Sequence, residues 1–399
     1  MYEVELSVIV LGLMNYCLSL VRELNRLRAK KSAIILVDKE GNKREVDLLS
    51  FSCQNKDCSL HGKKGKGNIK KRNLYGVYKD KLWLKCTACN KEFSETKGTA
   101  YFQKKKPILL IERIVKYISE GGEIRKGSRI FKVSKDTMIS YLKAASLKAR
   151  LINKLHHGIK FRFLQFDEIW SFIFKKDKNL KEGEEKNKGS FWGYVSYAFT
   201  HRFIVDIHNG KRNEEETIKF IEKQKKFIDL RYYVLIMSDG FKSYLTALHK
   251  VFDKVIHYKI PKGSTETVLP KTLLYGQIIK KRENGKVVDI IYRILNGFRC
   301  DFNRMLKLAG CNKITTSLLE RANLSLRHLI GRFKRKGMGF SKKRENHEDA
   351  LDFFRAVYNY ATLNRGLGGK KTPAMSVGLT KKIWTIDVIL RFQPNLASS

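Results

Sequence analysis

Two cysteine pairs, Cys53-x4-Cys58 and Cys86-x2-Cys89, constrain this chain more than any other feature. Thiolates paired at turn spacing, with a short sheet between the pairs, can close a tetrahedral zinc shell. A module of about fifty residues has too small a core to fold well without such a staple. Asn68 to Tyr75 and Lys81 to Lys85 read as the intervening strands, turning at Lys79 and Asp80. The expectation is a zinc ribbon over residues 51–103, with Cys53, Cys58, Cys86 and Cys89 holding one structural zinc ion. The competing reading is four buried or reactive thiols without metal. His61 is either a substitute ligand or a solvated loop residue, and Cys300 and Cys311 suggest no redox role. Seven cysteines are an odd and sparse set, which points to a reducing compartment.

Charge narrows the partner. The 81 Lys and Arg against 39 Asp and Glu leave +42, which calls for a polyanion such as nucleic acid and argues against a soluble metabolic enzyme. A length of 399 residues suits two or three domains, and 43% hydrophobic content excludes wholesale disorder. The apolar stretch Leu6 to Val21 is short for a membrane span and follows Glu3 and Glu5, the wrong charge for a signal peptide. Leu6, Val10, Leu13, Cys17, Leu20, Leu24 and Leu27 share one helical seam, which fits a helix docked on its own domain or a dimerising one. The expected location is cytoplasmic and nucleoid-associated, with no membrane.

After Pro107 the apolar period becomes helical: Ile108, Ile111, Ile114, Val115 and Ile118 share a face that ends at Gly121 and Gly122. Glu123 to Lys132 supplies a second helix, and Ser134 caps a third whose Met138, Tyr141 or Leu142, and Ala145 pack inward. Ser134, Lys135, Thr137 and Lys143 then face outward to phosphates or base edges, as in a helix-turn-helix. A plain three-helix bundle would carry the same pattern.

From Phe161 the elements run in an informative order. Strands are expected at Phe161 to Trp170, Phe191 to Thr200 and Arg202 to Ile207, then a helix at Glu214 to Ile228 and a strand at Tyr232 to Met237. A short helix at Phe241 to Lys250, a fifth strand at Lys254 to Tyr258 and a long helix at Leu318 to Lys334 follow. This βββ-α-β-α-β-α order is that of an RNase H-like mixed sheet flanked by helices.

Three acids fall at telling places: Asp167 near the end of the first strand, Asp239 after the fourth, and Glu320 on the long helix. Carboxylates converging from separate elements can hold two magnesium or manganese ions for phosphoryl transfer, the chemistry of nucleases and transposases. Taken singly, each has a structural reading as a strand end, a helix cap or a capping box begun by Ser317. Glu168 is expected on the opposite side of its strand from Asp167. On the long helix Glu320, Asn323 and Arg327 share one face, and Leu319, Ala322, Leu326, Leu329 and Phe333 another. The basic run beyond includes Arg332, Lys334 and Arg335, suited to DNA phosphates or to a solvated helix end.

Together these motifs resemble the DDE transposases of the bacterial and archaeal insertion-sequence-one family over most of residues 51–385. CQNKDCSLHGKKGKGNIKKRNLYG and CTACNKEFSETKGT resemble its zinc ribbon, and GGEIRKGSRIFKVSKDTMISYLK its helix-turn-helix. FDEIW, MSDGFKSY and LLERANLSLRHLIGRFKRKGMGFSKK are similar to its catalytic blocks, and NRGLGGKKTPAMSVGL to a tail common among such enzymes. The resemblance implies a multi-domain α/β chain that binds terminal inverted repeats as a homodimer or higher oligomer, cuts double-stranded DNA and joins the ends to a target. It implies Asp167, Asp239 and Glu320 as the metal-binding triad, with Asn323 and Arg327 beside it. An RNase H-like nuclease without joining, and a non-catalytic DNA-binding regulator, are the alternatives. Because 81 positions separate Asp239 from Glu320, Glu266 and Glu283 remain candidates for the third acid.

The expected division is 1–50 for the leading helix and short strands, 51–103 for the ribbon and 104–155 for the helix-turn-helix. The catalytic core takes 160–260 and 312–365, a β-hairpin insertion 261–311 and a tail 366–399. Within the insertion, Tyr275 to Arg282 and Lys286 to Leu295 read as strands joined through Glu283-Asn284-Gly285. The hairpin either guides DNA through Lys280, Lys281, Arg282 and Lys286 or is a surface decoration.

Overall fold

The computed structural model describes residues 19–20, 33–38, 41–183, 188–257, 265–334 and 339–394. The seam read over Leu6 to Leu27 lies outside them, apart from Ser19 and Leu20, which are helical. The chain divides into two units, Met1–Arg113 with Gln393–Ser399, and Ile114–Phe392. No helix among the described residues is long and apolar enough to cross a membrane.

In the first unit, strands β1 (Ala33–Val37) and β2 (Lys43–Asp47) form an antiparallel pair. Strands β3 (Ile69–Tyr75), β4 (Lys81–Cys86) and β5 (Glu92–Ser94) form a three-stranded antiparallel sheet. Period-2 alternation sends Leu82, Leu84 and Cys86 of β4 inward, and the turn before β4 carries Lys79 at φ +52°. Leu36 and Val46 from the first pair join Ile69, Leu82, Leu84 and Phe93 in one core with Cys53, Cys58 and Cys86. Arg44 ties the two sheets, its Nη2 donating to Glu95 Oε1 at 2.5 Å and to the Asp80 carbonyl at 2.7 Å.

Helix α1 (Ile108–Ser119), in which the division falls, ends at Gly121 with φ +82°. Glycine is required there, since a Cβ would lie 2.5 Å from the His328 carbonyl oxygen. Helices α2 (Ile124–Ile130) and α3 (Lys135–Ile152) follow at the expected places. Ser134 Oγ accepts from Thr137 N at 3.1 Å, a cap of the kind worth about 1 kcal/mol. Met138, Tyr141, Leu142 and Ala145 are all buried, so both alternatives for the inward position are filled.

The main sheet has six strands: β6 (Phe163–Ile173), β7 (Gly189–Ala198), β8 (Phe203–Gly210), β9 (Val234–Asp239), β12 (Leu273–Glu283) and β13 (Lys286–Asn296). Across the sheet they lie in the order β13-β12-β9-β6-β7-β8. Strand β9 is parallel to both its neighbours, β6 and β12, and the other pairs are antiparallel. Helix α4 (Glu214–Gln224) links β8 to β9, and α5 (Ser243–Phe252) follows β9. Further along come α6 (Arg299–Leu308), α7 (Ser317–Leu329), α8 (Arg344–Tyr360), α9 (Pro373–Ser376) and α10 (Ile386–Arg391). A mixed sheet flanked by helices is consistent with the RNase H-like layout. Helix α3 lies along α8, where Arg150 meets Asp349 at 2.7 Å and Asp352 at 2.6 Å.

One expectation is corrected. Lys254 to Tyr258 is not the fifth strand of the main sheet: β10 (Lys254–His257) pairs with β11 (Thr265–Val268) in a separate ribbon. The place beside β9 belongs to Leu273–Ile278 of β12, whose Leu273, Leu274 and Tyr275 are completely buried. The stretch 261–311 therefore carries a strand of the sheet as well as the hairpin. The hairpin turn is as read, with Asn284 at φ +48° and Gly285 at φ +79°.

Candidate active site

Strand β9 stops at Asp239 while its neighbours continue, β6 to Ile173 and β12 to Glu283. A slot opens between the two longer strands, at the carboxyl end of a parallel strand, where open α/β sheets place their ligands. The register Phe166↔Ser238 puts Asp167 and Asp239 at successive positions on either side of that opening. Asp167 is thus mid-strand rather than near its end, and it faces the slot because its partner strand has run out.

Helix α7 is docked above the slot by Gln165, buried two positions before Asp167. Gln165 Nε2 donates to the Thr315 carbonyl at 2.6 Å and its Oε1 accepts from Leu319 N at 3.0 Å. One turn further along α7, Asn323 Nδ2 donates to Asp167 Oδ2 at 2.9 Å, while Glu168 N donates to Asp167 Oδ1 at 2.9 Å. Asn323 is therefore buried rather than on a wet face, and its Oδ1 has no hydrogen-bond partner. Thr316, not Ser317, stands at the N-cap position.

Glu320 points to other company. Its Oε1 accepts from Lys280 Nζ at 2.5 Å and from Thr316 Oγ1 at 2.8 Å. Although partial burial opposes it, the Lys280 ammonium and the Thr316 hydroxyl hold Glu320 below the usual carboxylate range.

The carboxylate group that does assemble is Asp167, Glu168 and Asp239, each offering an oxygen within 4.8 Å of the others. Glu168 contacts Arg212 and Tyr244 while Asp167 contacts Asn323, as strand alternation expects, yet a Glu168 oxygen still lies close to those of the two aspartates. Burial first, then the charges of Asp239 and Glu168, push Asp167 up to about 7. Burial and Asp239 push Glu168 up to about 7 as well, and burial raises Asp239 against the Phe241 peptide N–H. Desolvated like charges at one spot favour a bound cation or shared protons.

Sequence reasoning missed Arg212 and Gln165, which hold groups at the candidate site. Arg212 Nε donates to Glu168 Oε2 at 3.1 Å, with its guanidinium 4.0 Å from the Phe241 ring centroid and 5.1 Å from that of Trp192. Nothing local distinguishes Arg212 from the other cations of a basic chain. Gln165 had a weak signal, a polar residue two positions from Asp167 and so on its side of the strand.

In the first unit the four expected cysteines come together, with sulfurs within 4.8 Å of one another and none in a disulfide. Cys53 Sγ and Cys89 Sγ are 3.6 Å apart, close to the about 3.8 Å edge of a tetrahedral zinc–thiolate shell. Asn68 Nδ2 donates to Cys86 Sγ at 3.1 Å, a bond that favours the thiolate. His61 is half-buried, with Nε2 shielded and without a hydrogen-bond partner, and it is not part of the four-cysteine group.

The residues expected to meet DNA are partly gathered. Lys135 and Arg332 line one cavity of about 630 Å³ with Arg125, Lys126, Lys342 and Lys343. Arg332 is half-buried and donates from Nη1 to Ser341 Oγ at 3.4 Å. Ser134 and Thr137 are engaged with each other at the cap, Oγ to Oγ1 at 2.9 Å. Lys334 is exposed, Arg327 is half-buried, and Arg335 lies outside the described residues. Glu283 sits exposed at the hairpin tip, and the side chain of Glu266 lies outside the described ones.

The sequence matches no protein-family model and no curated protein. Solved structures similar to part of the chain include the Mos1 mariner paired-end complex with Mn, 10% identical over 35% of this chain and 55% of that one, with a TM-score of 0.15. The Mos1 strand transfer complex is 9% identical over 62% and 76% of the two chains, with a TM-score of 0.16. The mariner Mos1 paired-end complex with Mg is 9% identical over 63% and 79%, with a TM-score of 0.17. The chain thus spans about half the length of the first of these. Scores this low carry no argument about fold or chemistry.

Proposed function

We propose that the chain is a DNA transposase that binds the terminal inverted repeats of its own insertion sequence, cuts at the ends and joins them to target DNA. The observation that carries this reading is the placement of Asp167 beside Asp239 where β9 ends, under a helix bearing Glu320 and Asn323, in a chain of net charge +42. The residues suit a divalent cation: Asp167, Glu168 and Asp239 each offer an oxygen within 4.8 Å of the others, and Asn323 Oδ1 is buried beside Asp167 with no hydrogen-bond partner. When bound, magnesium or manganese activates a nucleophilic oxygen and stabilises the leaving oxygen in phosphoryl transfer. Asp167 and Asp239 hold the ions, Asn323 orients Asp167, and Glu320 is the third acid by resemblance to the insertion-sequence-one family.

In the same reading residues 51–103 are a ribbon stapled by one zinc at Cys53, Cys58, Cys86 and Cys89. Residues 104–155 read DNA through Lys135 and Thr137 on α3, and Arg327, Arg332, Lys334 and Arg335 neutralise phosphates. The core comprises 160–260 and 312–365, and two copies pair two element ends. The test is purified protein with labelled end DNA, magnesium and a target plasmid. Binding, cleavage and joining are expected together; cleavage without joining favours the nuclease, and binding alone the regulator. Calcium is expected to permit binding without turnover.

A further inference from the structure

We propose that the cation nearest Asp167 is held, before DNA arrives, by Asp167, Asp239 and Glu168, and that Glu320 stands outside this first site. The inference rests on reading the sheet-end carboxylates as a cation site and assigns the third ligand within it.

Three observations carry it. The first is proximity: a Glu168 oxygen shares the 4.8 Å group with Asp167 and Asp239, and Glu320 does not. The second is an unmet acceptor. The Glu168 side chain is 2% exposed and its carboxylate is met by Arg212 and by the Tyr244 hydroxyl, whereas Asn323, which donates from Nδ2 to Asp167, has a buried Oδ1 with no hydrogen-bond partner. A buried acceptor oxygen without a donor is costly unless a cation faces it.

The third observation is charge. Three clustered carboxylates face the single cation Arg212 and lack counter-charge that a divalent ion would supply, whereas Glu320 is already balanced by Lys280 at 2.5 Å. Arg212 is itself held between Phe241 and Trp192, so the carboxylate it grips presents its other oxygen in a defined direction.

The experiment is manganese titration of the full-length protein without DNA, following free Mn²⁺ by electron paramagnetic resonance. Wild type is expected to take up one tight ion. Glu168→Gln keeps an acceptor for Arg212 but loses the charge, and its affinity is expected to fall at least about tenfold, as for Asp239→Asn. Glu320→Gln is expected to bind within about twofold of wild type. Wild-type affinity in Glu168→Gln alongside a loss in Asp239→Asn would overturn the assignment and leave the cation site standing. No uptake by wild type would overturn both. Circular dichroism checks folding, and if Glu168→Gln is unfolded, Glu168→Asp takes its place. It keeps the charge for Arg212 and withdraws the carboxylate by one methylene, so weakened binding supports the assignment and wild-type binding overturns it.

Discussion

Lys280 Nζ and Glu320 Oε1 meet at 2.5 Å, joining the part of β12 that runs past β9 to the first turn of α7. The acid that resemblance makes catalytic is therefore neutralised by the hairpin strand rather than by the carboxylate cluster. Both side chains are partly exposed, so the pair is a weak source of stability. Glu320→Gln is expected to change unfolding free energy by less than about 1 kcal/mol in a urea titration. Cleavage and joining are expected to fall by more than the roughly 10- to 100-fold typical of losing an outer-shell partner, with end binding retained. Undiminished joining would move the third acid elsewhere, with Glu283 and Glu266 next in line.

How much of this was legible depended on whether the signal was local. The cysteine module was readable because both pairs and their strands lie within one short stretch, and the Ser134 cap and Asn284-Gly285 turn because each depends on adjacent residues. The pairing of Asp167 with Asp239 depends on a parallel register between strands seventy residues apart, which no spacing encodes. Lys254–His257 and Leu273–Ile278 are both apolar β-formers, and tertiary pairing alone decided which lies beside β9. The closeness of the Glu168 carboxylate to Asp167 and Asp239 is not legible in the sequence, because alternation describes Cβ atoms and not the ends of long side chains.

Zinc removal should separate the two units. Cys86 belongs to a small core in which three cysteines are buried among a few aliphatic side chains. Metal analysis is expected to find about one zinc per chain in wild type and none in Cys86→Ser, which is also expected to lose the cooperative melting of the first unit. The second unit has its own buried core and is expected to keep its transition. Freshly reduced wild-type protein without zinc would sink the ribbon.

His347 supplies a pH signature independent of the metal site. It is buried between Ser171 Oγ at 3.1 Å and Ser341 Oγ at 3.0 Å and stacks on Phe333. Burial, then the charges of Arg332 and Arg344, bring it from 6.5 down to about 3. Between those values the unfolded chain binds a proton that the folded protein refuses, so this group's contribution to stability falls as pH drops from 6.5 toward 3. Other groups titrate in the same window, so the measurement is a difference. His347→Gln is expected to reduce the slope of unfolding free energy against pH, between pH 4.5 and 6, by up to about 1.4 kcal/mol per unit relative to wild type. Equal slopes would mean that His347 titrates normally in the fold.

The hairpin strand has two parts that mutation should distinguish. Leu273–Ile278 pairs with β9, and removing residues 274–296 would delete Leu274 and Tyr275, both fully buried, and strip β9 of its partner on that side. Losing buried side chains of this size costs about 2–5 kcal/mol each, against a typical net stability of about 5–15 kcal/mol. That replacement is therefore expected to abolish the thermal transition of the second unit and says nothing about DNA. The outer part is different: beyond the pair Lys280↔Ile290, the strands lie past the end of β9, and residues 281–289 are exposed. Replacing 281–289 with Asn-Gly closes a two-residue turn on that pair and keeps Lys280 against Glu320. Stability is expected to change by less than about 1 kcal/mol, since no buried side chain is lost. Three cations go with the tip, Lys281, Arg282 and Lys286. If they track DNA beside the cut, the slope of log affinity against log salt should shrink by up to about three and joining should fall further than end binding. An unchanged slope with normal joining would make the tip a surface decoration. Glu283 is deleted too, so Glu283→Gln is the control: normal joining in that variant assigns any loss to the missing cations, and defective joining assigns it to the acid.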